Sequence, residues 1–493
     1  AGFRDRGYAY ANEDVASQLQ TAILATHVSN RIHKHNSKGY TENLGYYVFP
    51  DGAISRDGMK EVFYENNDLA DKALTTSGTL EDWKQHVASK CVGNNMAVFV
   101  IIYAIATALL PFVNLSTVFF HLFGLSSRGK TTLLQLFASV YGNGSDPSQS
   151  IKSLITSWNS TGPGLEGKAE HYSGIVAPFD ELDSADDKSF GKSIYALNNC
   201  LSKLKAAPFG IGMQQQVYWM FHGLSTGEIS AREKIEKSGV KVNKGQAVRF
   251  NDIEVTDNEF PETHGMPIAQ LISDFKNNSS KYFGTAARSF IAKLLGLTGD
   301  DESLKRLIRK RLDAEVVLIA KPDLPPEQER LIERFALIQL AGKLAIEFGV
   351  LPYQTEDVEK SVEYVMARWL STMTKHADTN NYQEILRNFL QEEASRFSVD
   401  FNLNPKKCVG FIKKSKGKEY YLIKPHVFKK IFDKHNLKDV YADLTEADIL
   451  EVCKDRPTKL HSIACYASDP DKRGQSRYYT IRAKAIHDVY LDN

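Results

Sequence analysis

A glycine-rich stretch at residues 124–131 constrains the fold of this chain more than any other feature of its sequence. It reads Gly-Leu-Ser-Ser-Arg-Gly-Lys-Thr and matches the pattern G-x-x-x-x-G-K-[ST]. The apolar run TVFFHLFG (117–124) overlaps its start and predicts a strand, and TTLLQLFASVYG (131–142) predicts a helix after it. A strand, a glycine-rich turn and a helix in this order indicate an α/β fold with a phosphate-binding loop.

Each fixed position of this loop has a chemical reason. The glycines allow a tight turn whose N–H groups face a phosphate chain, Lys130 can reach the β- and γ-phosphates, and the Thr131 hydroxyl can ligate Mg²⁺. ATP and Mg²⁺ are therefore the predicted cofactors. The residues assigned to nucleotide binding are Gly124, Ser126, Ser127, Arg128, Gly129, Lys130, Thr131 and Thr132.

An acidic pair follows the next strand candidate, SGIVAPFD (173–180). Asp180 at a strand end can hold Mg²⁺ together with Thr131, and Glu181 can polarise the attacking water. Small-molecule kinases need no second acid, so the pair favours ATP hydrolysis. Pro178 argues against a central strand, because it lacks the N–H donor. An exposed acidic turn is the alternative.

The third strand candidate, VYWMFHGLS (217–225), also ends in polar residues. A hydroxyl at that place could hydrogen-bond the attacking water or the γ-phosphate. We therefore predict a catalytic role for Thr226 and a nucleotide contact for Ser225.

Four parts are predicted along the chain, whose 493 residues exceed one typical domain. They are an N-terminal α+β module (1–88), an α/β core with a parallel sheet (89–295), a helical lid (296–375) and a C-terminal winged-helix domain (380–493). In the last part, helical runs at 425–436 and 444–455 precede strand-like runs at 460–467 and 477–483. Two helices followed by a hairpin are typical of a winged helix-turn-helix.

Charge is distributed unevenly along the chain. The 61 Lys+Arg against 60 Asp+Glu give a net charge of +1, which excludes a polycationic protein, yet residues 401–493 hold 19 basic against 12 acidic residues. Lys472, Arg473 and Arg477 on the expected wing could contact a DNA backbone. Winged helices also dock proteins, so both partners remain open.

Cysteine content and one apolar run bear on location. Five scattered cysteines without a C-x-x-C pair are typical of a reducing, cytoplasmic compartment. Residues 96–113 are uncharged and barely long enough to cross a bilayer. Because no basic cluster flanks them and the phosphate-binding loop follows closely, we predict a buried core helix. A membrane-anchored ATPase is the alternative.

Several segments together resemble a known family. FHLFGLSSRGKTTLLQLFASVYG, SWNSTGPGLEG, FDELD, GLSTGEIS, GQAVRFNDIEV and RLIERFALIQLAGKLAIEFG look like successive blocks, spread over about residues 40–490, of the bacterial and phage ATPases catalogued as domain of unknown function 927. Some relatives of this family are MCM-like or superfamily 3 helicases of the AAA+ class. The resemblance thus implies an AAA+ core.

The resemblance also implies roles for arginines. Arg249, in GQAVRF, falls where related helicases place an arginine finger that a neighbouring subunit supplies to the γ-phosphate. Arg330 and Arg334 lie where a second, nucleotide-sensing arginine is expected, and the sequence does not choose between them. For each, a surface ion pair is the alternative.

A pore hairpin is implied at residues 198–216. Lys203, Lys205 and Phe209 are the candidates for gripping the phosphates and bases of a DNA strand. The family's glycine-richer pattern is absent here, and a solvated basic helix is the alternative.

The implied function is an ATP-dependent DNA helicase or translocase of a phage or mobile genetic element. It would form a ring, a hexamer by resemblance, on single-stranded or forked DNA, with a primase or loader as a further partner and no membrane. Two alternatives remain open: a regulatory or defence ATPase whose winged helix binds protein, and a P-loop phosphotransferase.

Overall fold

Two compact units make up the chain, residues 1–372 and 373–493. The computed structural model describes residues 13–26, 33–35, 37–41, 44–60, 62–64, 69–148, 150, 152–186, 190–191, 194, 197, 200–202, 216, 218–237, 250–322, 324, 326–379, 382–398, 408–415, 418–433, 435–453, 457–464 and 473–483.

The N-terminal part combines one exposed helix with short strands. Helix α1 spans Glu13–Ala25, and residues 27–32 lie outside the described part. A turn at residues 50–51 joins two antiparallel strands, in which Tyr47 lies opposite Ile54. The elements are α1 (Glu13–Ala25), β1 (His33–His35), β2 (Gly39–Tyr40), β3 (Tyr46–Phe49), β4 (Gly52–Ser55), β5 (Gly58–Lys60), β6 (Val62–Tyr64) and α2 (Leu80–His86).

The apolar run forms a buried helix, as predicted. Helix α3 (Asn95–Ala106) continues through a 3₁₀ turn into α4 (Leu110–Val113). The segment is long and apolar enough to span a membrane, but 94% of its most apolar window is buried inside the protein. Phe99 packs against the Phe120 and Phe335 rings, with centroids 5.4 and 6.1 Å away. This is the packing of a core helix.

A five-stranded parallel sheet forms the centre of the first unit. From one edge to the other the strands are β11 (Phe250–Glu254), β7 (Val118–Phe123), β10 (His222–Gly227), β9 (Val176–Asp180) and β8 (Thr156–Ser157). Strand β10 therefore lies between β7, which precedes the glycine-rich loop, and β9, which ends at the acidic pair. All carboxyl ends therefore meet at one edge.

The three strand predictions are confirmed, and the position of Pro178 has an explanation. On one side β9 pairs with β10, and on the other with β8, which has only two residues, opposite Phe179 and Asp180. Pro178 therefore lies beyond the paired length of the short edge strand, where a missing N–H donor is tolerated.

Helices cover the sheet and continue the first unit. Those between the strands are α5 (Lys130–Ser139), α6 (Gly162–Tyr172) and α7 (Ala231–Lys237). A helical region follows the last strand, and long helices form where the amphipathic pattern predicts them. These are α8 (Ile268–Lys281), α9 (Thr285–Leu295), α10 (Asp301–Ile319), α11 (Pro326–Glu347) and α12 (Thr355–Thr379).

The second unit is a small mixed domain with its own core. Phe428 stacks on Tyr479, with ring centroids 3.9 Å apart, inside a cluster that includes Leu386 and Ile481. Its helices are α13 (Tyr382–Glu392), α14 (Pro425–Ile431) and α15 (Leu437–Glu446). Its strands are β12 (Phe397–Ser398), β13 (Gly410–Ser415), β14 (Lys418–Ile423), β15 (Leu450–Glu451), β16 (Lys459–Ala464) and β17 (Arg473–Arg482).

One helix prediction in this unit is wrong. The run 444–455 was expected to be helical, but α15 ends at Glu446, Asp448 adopts a left-handed backbone with φ 57°, and Leu450 then pairs with Ile481 in a sheet. Pairing with β17 prevails over the local helical pattern. The hairpin of β16 and β17 is confirmed by its antiparallel register.

Candidate functional site: a phosphate-binding loop beside an acidic strand end

The loop at 124–131 turns sharply between β7 and α5. Gly124, Ser127 and Gly129 have positive φ angles of 143°, 65° and 82°. A Cβ on Gly129 would lie 2.5 Å from the Phe260 ring, and one on Gly124 would lie 2.6 Å from the carbonyl oxygen of Val255. Both glycines are therefore required by sterics as well as by backbone conformation. The turn ends at the N-terminus of α5, where the helix dipole favours an anion.

Lys130 is folded against this loop. Its Nζ donates hydrogen bonds to the carbonyl oxygens of Gly124, at 2.8 Å, and Leu125, at 2.7 Å. Burial lowers the pKa of Lys130, and the nearby carboxylates, Glu228 first among them, partly oppose this effect. The ammonium group thus lies at the loop, within reach of an anion bound there.

A cavity of about 410 Å³ opens at this loop, a volume within the range of small-molecule sites. It is bordered by the loop, the start of α5, the ends of β9 and β10, and one face of α8. Its lining residues are Ser126, Ser127, Gly129, Lys130, Thr131, Thr132, Asp180, Glu181, Asp183, Thr226, Gly227, Glu228, Ile272 and Lys276.

Asp180 and Thr226 join the ends of β9 and β10. The Thr226 hydroxyl donates a hydrogen bond to Asp180 Oδ1, and the Glu181 N–H donates to the same oxygen at 3.1 Å. Burial nevertheless raises the pKa of Asp180. Glu181 is exposed and has a left-handed φ of 57°, an unfavourable backbone for a non-glycine residue, of a kind that clusters at functional sites.

Ser225 points away from the cavity, because successive side chains of a strand face opposite sides. It is fully buried, and its Oγ accepts from Trp158 Nε1 at 2.8 Å. His121 Nε2 contacts the carbonyl oxygen of Ile229 at 2.9 Å, so this nitrogen carries the proton and Nδ1 accepts from Ser225, also at 2.9 Å. Ser225 thus lies in the buried interior and not in the cavity, and its hydroxyl connects Trp158 to His121.

Two further carboxylates border the cavity. The Ser126 hydroxyl donates to Glu228 Oε1, which connects the loop to the residue after β10. The Glu228 N–H donates to Asp183 Oδ2 at 2.7 Å, and Lys234 Nζ donates to the Asp183 carbonyl oxygen at 3.0 Å. Sequence reasoning missed Asp183 and Glu228. Their signal was proximity to the carboxyl ends of two strands that meet at one edge.

The donors present suit Mg²⁺. Thr131 and Asp180, the predicted ligands, line the same cavity, and oxygen donors of this kind are those that Mg²⁺ prefers. No group of three or more His, Cys, Asp or Glu side chains among the described residues could hold a metal by itself. A site for Mg²⁺ bound together with phosphate needs no such group, because the ion usually keeps only one or two protein carboxylates.

Neither predicted sensing arginine reaches the cavity. Arg334 donates to the Ser116 carbonyl oxygen at 2.7 Å and to its hydroxyl at 3.0 Å. Ser116 precedes β7 at its amino end, whereas the loop follows its carboxyl end, about 20 Å away for a strand of this length. Arg330 is exposed and does not line the cavity.

Arg128 connects the loop to the segment that follows β11. It donates to the Val255 carbonyl oxygen at 3.0 Å and pairs with Asp257 at 2.8 Å. The same segment is held by Glu259, which is almost fully buried and pairs with Arg368 of α12. Arg128 and Gly124 are thus absent from the cavity lining and shape it indirectly.

The predicted DNA contacts are described only in small part. Lys203, Lys205, Phe209, Arg249 and Lys472 lie outside the described residues, as does the side chain of Arg473. Arg477 is exposed on β17 and donates to the Thr458 carbonyl oxygen at 3.2 Å.

Another basic feature of the second unit was missed by sequence reasoning. Lys414 and Lys418 are exposed on the hairpin of β13 and β14. Lys414 Nζ lies 3.6 Å from Glu419, a weak ion pair at the surface. The density of lysines in this hairpin was the available signal.

Comparison with known proteins agrees with the resemblance seen in the sequence. Residues 5–215 match the model of the family described as Domain of unknown function (DUF927). The match includes the loop and the acidic pair. The blocks predicted beyond residue 215 lie outside it.

Solved structures show where the fold recurs. The structure titled "SCCmec type IV Cch - active helicase" has a TM-score of 0.63 at 17% identity, covering 98% of this chain and 86% of that chain. The structure titled "The A form apo structure of NrS-1 C terminal region-CTR" has a TM-score of 0.32 at 11% identity, covering 96% and 90%, too low to support an argument. No curated protein matches. The first neighbour shows a shared fold.

Proposed function

We propose that this chain, whose residues 5–215 match the DUF927 family model, is an ATP-dependent DNA helicase or translocase of a phage or mobile genetic element. One observation carries the proposal: a single cavity brings together Lys130 and Thr131 at a helix N-terminus, the acids Asp180 and Glu181, and the hydroxyl of Thr226. The fold shared with a protein whose title calls it an active helicase supports the same conclusion.

The proposed chemistry assigns one task to each group. The N–H groups of the loop and Lys130 bind the triphosphate, and Thr131 and Asp180 hold Mg²⁺. When bound, the ion neutralises charge on the phosphate oxygens. Glu181 orients and polarises water for attack on the γ-phosphorus, and ADP leaves as the bond to the β-phosphate oxygen breaks.

Thr226 positions Asp180 in this scheme. Its hydroxyl donates to one carboxylate oxygen, which leaves the other oxygen for the ion. The same hydrogen bond favours the ionised form of Asp180 against the effect of burial.

Ring assembly and DNA binding are the further parts of the proposal. In an AAA+ ring, a hexamer by resemblance, Arg249 of one subunit would stabilise charge on the γ-phosphate bound by its neighbour. Lys203, Lys205 and Phe209 would contact single-stranded DNA in the pore, and the wing with Lys472, Arg473 and Arg477 would contact the backbone of forked DNA. A winged-helix domain at 380–493 and a primase or loader as partner belong to the same proposal.

An unwinding assay on forked DNA tests the proposal. Wild type should separate the strands only with ATP and Mg²⁺, and Lys130→Ala should abolish both unwinding and ATP hydrolysis. Lys305→Ala, which removes a partly exposed lysine of α10, is the matched control and should behave as wild type.

The possible outcomes distinguish a helicase from a regulatory ATPase. Strand separation that survives Lys130→Ala would overturn the proposed mechanism. ATP hydrolysis that single-stranded DNA does not stimulate, together with no unwinding, would overturn the helicase function and favour a regulatory ATPase whose second unit binds protein.

A further inference from the structure

Two side chains of α8 line the cavity although no motif predicted them. Ile272 and Lys276 are four residues apart and lie on one face of the helix. Ile272 is the only large apolar side chain among the described residues that line the cavity, and Lys276 and Lys130 are its only cationic residues.

Helix α8 is fixed against the loop. Leu271 and Phe275 are fully buried on its inner face, and the Phe275 ring lies 5.7 Å from the Phe260 ring. Phe260 in turn fills the space where a Cβ on Gly129 would lie. The wall formed by Ile272 and Lys276 is therefore held at a set position relative to the phosphate-binding loop.

The negative charge in the cavity favours a second cationic side chain beside Lys130. Four carboxylates line it, those of Asp180, Glu181, Asp183 and Glu228, and a triphosphate adds further negative charge. No described carboxylate forms an ion pair with Lys276, so its ammonium group is available to a ligand. Arg334, one of the arginines expected to supply this charge, is held at Ser116 at the far end of β7.

We infer that α8 completes the nucleotide site: Ile272 contacts the nucleoside, and Lys276 binds a phosphate oxygen of the same ligand. The inference rests on the proposed function, because it takes the ligand to be a nucleoside triphosphate. An apolar side chain provides a surface for a base or sugar, and an ammonium group one helical turn away is placed for the adjoining phosphate chain. Lys276 thus takes the place predicted for Arg330 or Arg334.

The test compares binding of ATP with binding of inorganic tripolyphosphate, which has the phosphates without the nucleoside. Dissociation constants are measured by calorimetry for the full chain and its variants. Ile272→Ala should weaken ATP binding about tenfold and leave tripolyphosphate binding unchanged. Lys276→Ala should weaken both about tenfold or more, and Lys276→Arg should restore most of the loss for both.

Controls make the outcomes distinct. Lys281→Ala, at an exposed position of the same helix, should change neither constant. If Lys130→Ala abolishes binding of both ligands while Ile272→Ala and Lys276→Ala bind like wild type, the inference fails and the proposed function stands. If Lys130→Ala binds ATP as wild type does, the proposed function fails first. Equal losses of both ligands in Ile272→Ala would overturn its assignment to the nucleoside.

Discussion

Thr226 and Asp180 are joined by a hydrogen bond across two neighbouring parallel strands, from the hydroxyl to Oδ1. Register explains the pairing, because Ser225 lies opposite Phe179 and the next residue of each strand reaches the same edge. This contact determines which form the carboxyl group takes at the centre of the cavity, since burial raises the pKa of Asp180 and the hydrogen bond lowers it.

Thr226→Val should therefore move the acid limb of the pH profile of ATP hydrolysis to higher pH. Without the hydroxyl the pKa of Asp180 rises further, so the carboxylate is protonated at a higher pH and binds Mg²⁺ less well. Hydrolysis at neutral pH should fall about tenfold and recover in part at higher Mg²⁺ concentration. Thr226→Ser, which keeps the donor, should retain the wild-type profile; an unshifted limb in Thr226→Val would contradict the role.

Glu181→Gln should separate binding from hydrolysis. The amide cannot polarise water as a carboxylate does, so kcat should fall at least about a hundredfold, whereas the ATP dissociation constant should change little. Steady-state hydrolysis at saturating ATP and equilibrium binding measure the two quantities. Glu170→Gln, at an exposed position of α6, is the control. Hydrolysis preserved in Glu181→Gln would contradict the role of Glu181, and preserved phosphoryl transfer to an acceptor other than water would instead fit a phosphotransferase.

Gly129→Ala should abolish ATP binding. The new Cβ would overlap the Phe260 ring, and the alanine would have to adopt a φ of 82°. The loop would therefore have to deform. Gly167→Ala is a matched control: its Cβ meets nothing within 4 Å, and alanine inside α6 should stabilise the helix by about 0.5–1 kcal/mol. Calorimetry with ATP and thermal unfolding check both variants, and normal ATP binding by Gly129→Ala would refute the steric argument.

Acidification should destabilise the first unit through His121. Burial lowers its pKa to about 4, so between this value and the ordinary value of about 6.5 the unfolded state binds the proton more readily. The stability that the neutral ring contributes is therefore present above pH 6.5 and is lost as pH falls towards 4. The loss between pH 7 and pH 5 is about 2 kcal/mol.

His121→Gln should reduce this pH dependence. Denaturant unfolding of wild type and variant at pH 7 and pH 5 gives the difference, which should be smaller in the variant by about the amount attributed to His121. Some dependence should persist, because burial also lowers the pKa of His222, to about 3. An identical pH dependence in both proteins would show that His121 does not titrate as proposed.

Arg477→Ala should weaken binding of DNA. As a single phosphate contact it should reduce the affinity about equally for all sequences and lower the slope of log K against log salt concentration by about one. Fluorescence anisotropy with forked DNA at several salt concentrations measures both. Lys305→Ala is again the control. Unchanged affinity and slope would leave Arg477 without a DNA role.

The features that the sequence predicts correctly are those with a local residue pattern that is typical of one structure. The loop, the three core strands and the acidic pair were all predictable, because glycine positions, apolar runs and strand-end acids have local signals. The buried helix 95–106 was also predictable from its lack of charge. In contrast, the two residues of α8 became visible only when tertiary packing brought that helix beside the loop.

The errors have a common physical origin. Arg334 lies on an amphipathic helix, and periodicity shows which residues share a face but not which end of a strand that face reaches. The segment at 444–455 has a helical pattern, yet Leu450 is committed to a sheet by its partner Ile481. In both cases the deciding contact comes from a residue distant in sequence.

The apolar helix at Asn95–Val113 also has a consequence for how the protein must be made. Its cover includes residues that are synthesised much later, since Phe99 packs on Phe335 and the position of Gly342 approaches Ile102. During translation this apolar segment therefore leaves the ribosome well before the residues that cover it in the folded protein have been synthesised. We expect the nascent chain to depend on chaperones during that interval, and truncation before residue 335 to yield an aggregating product.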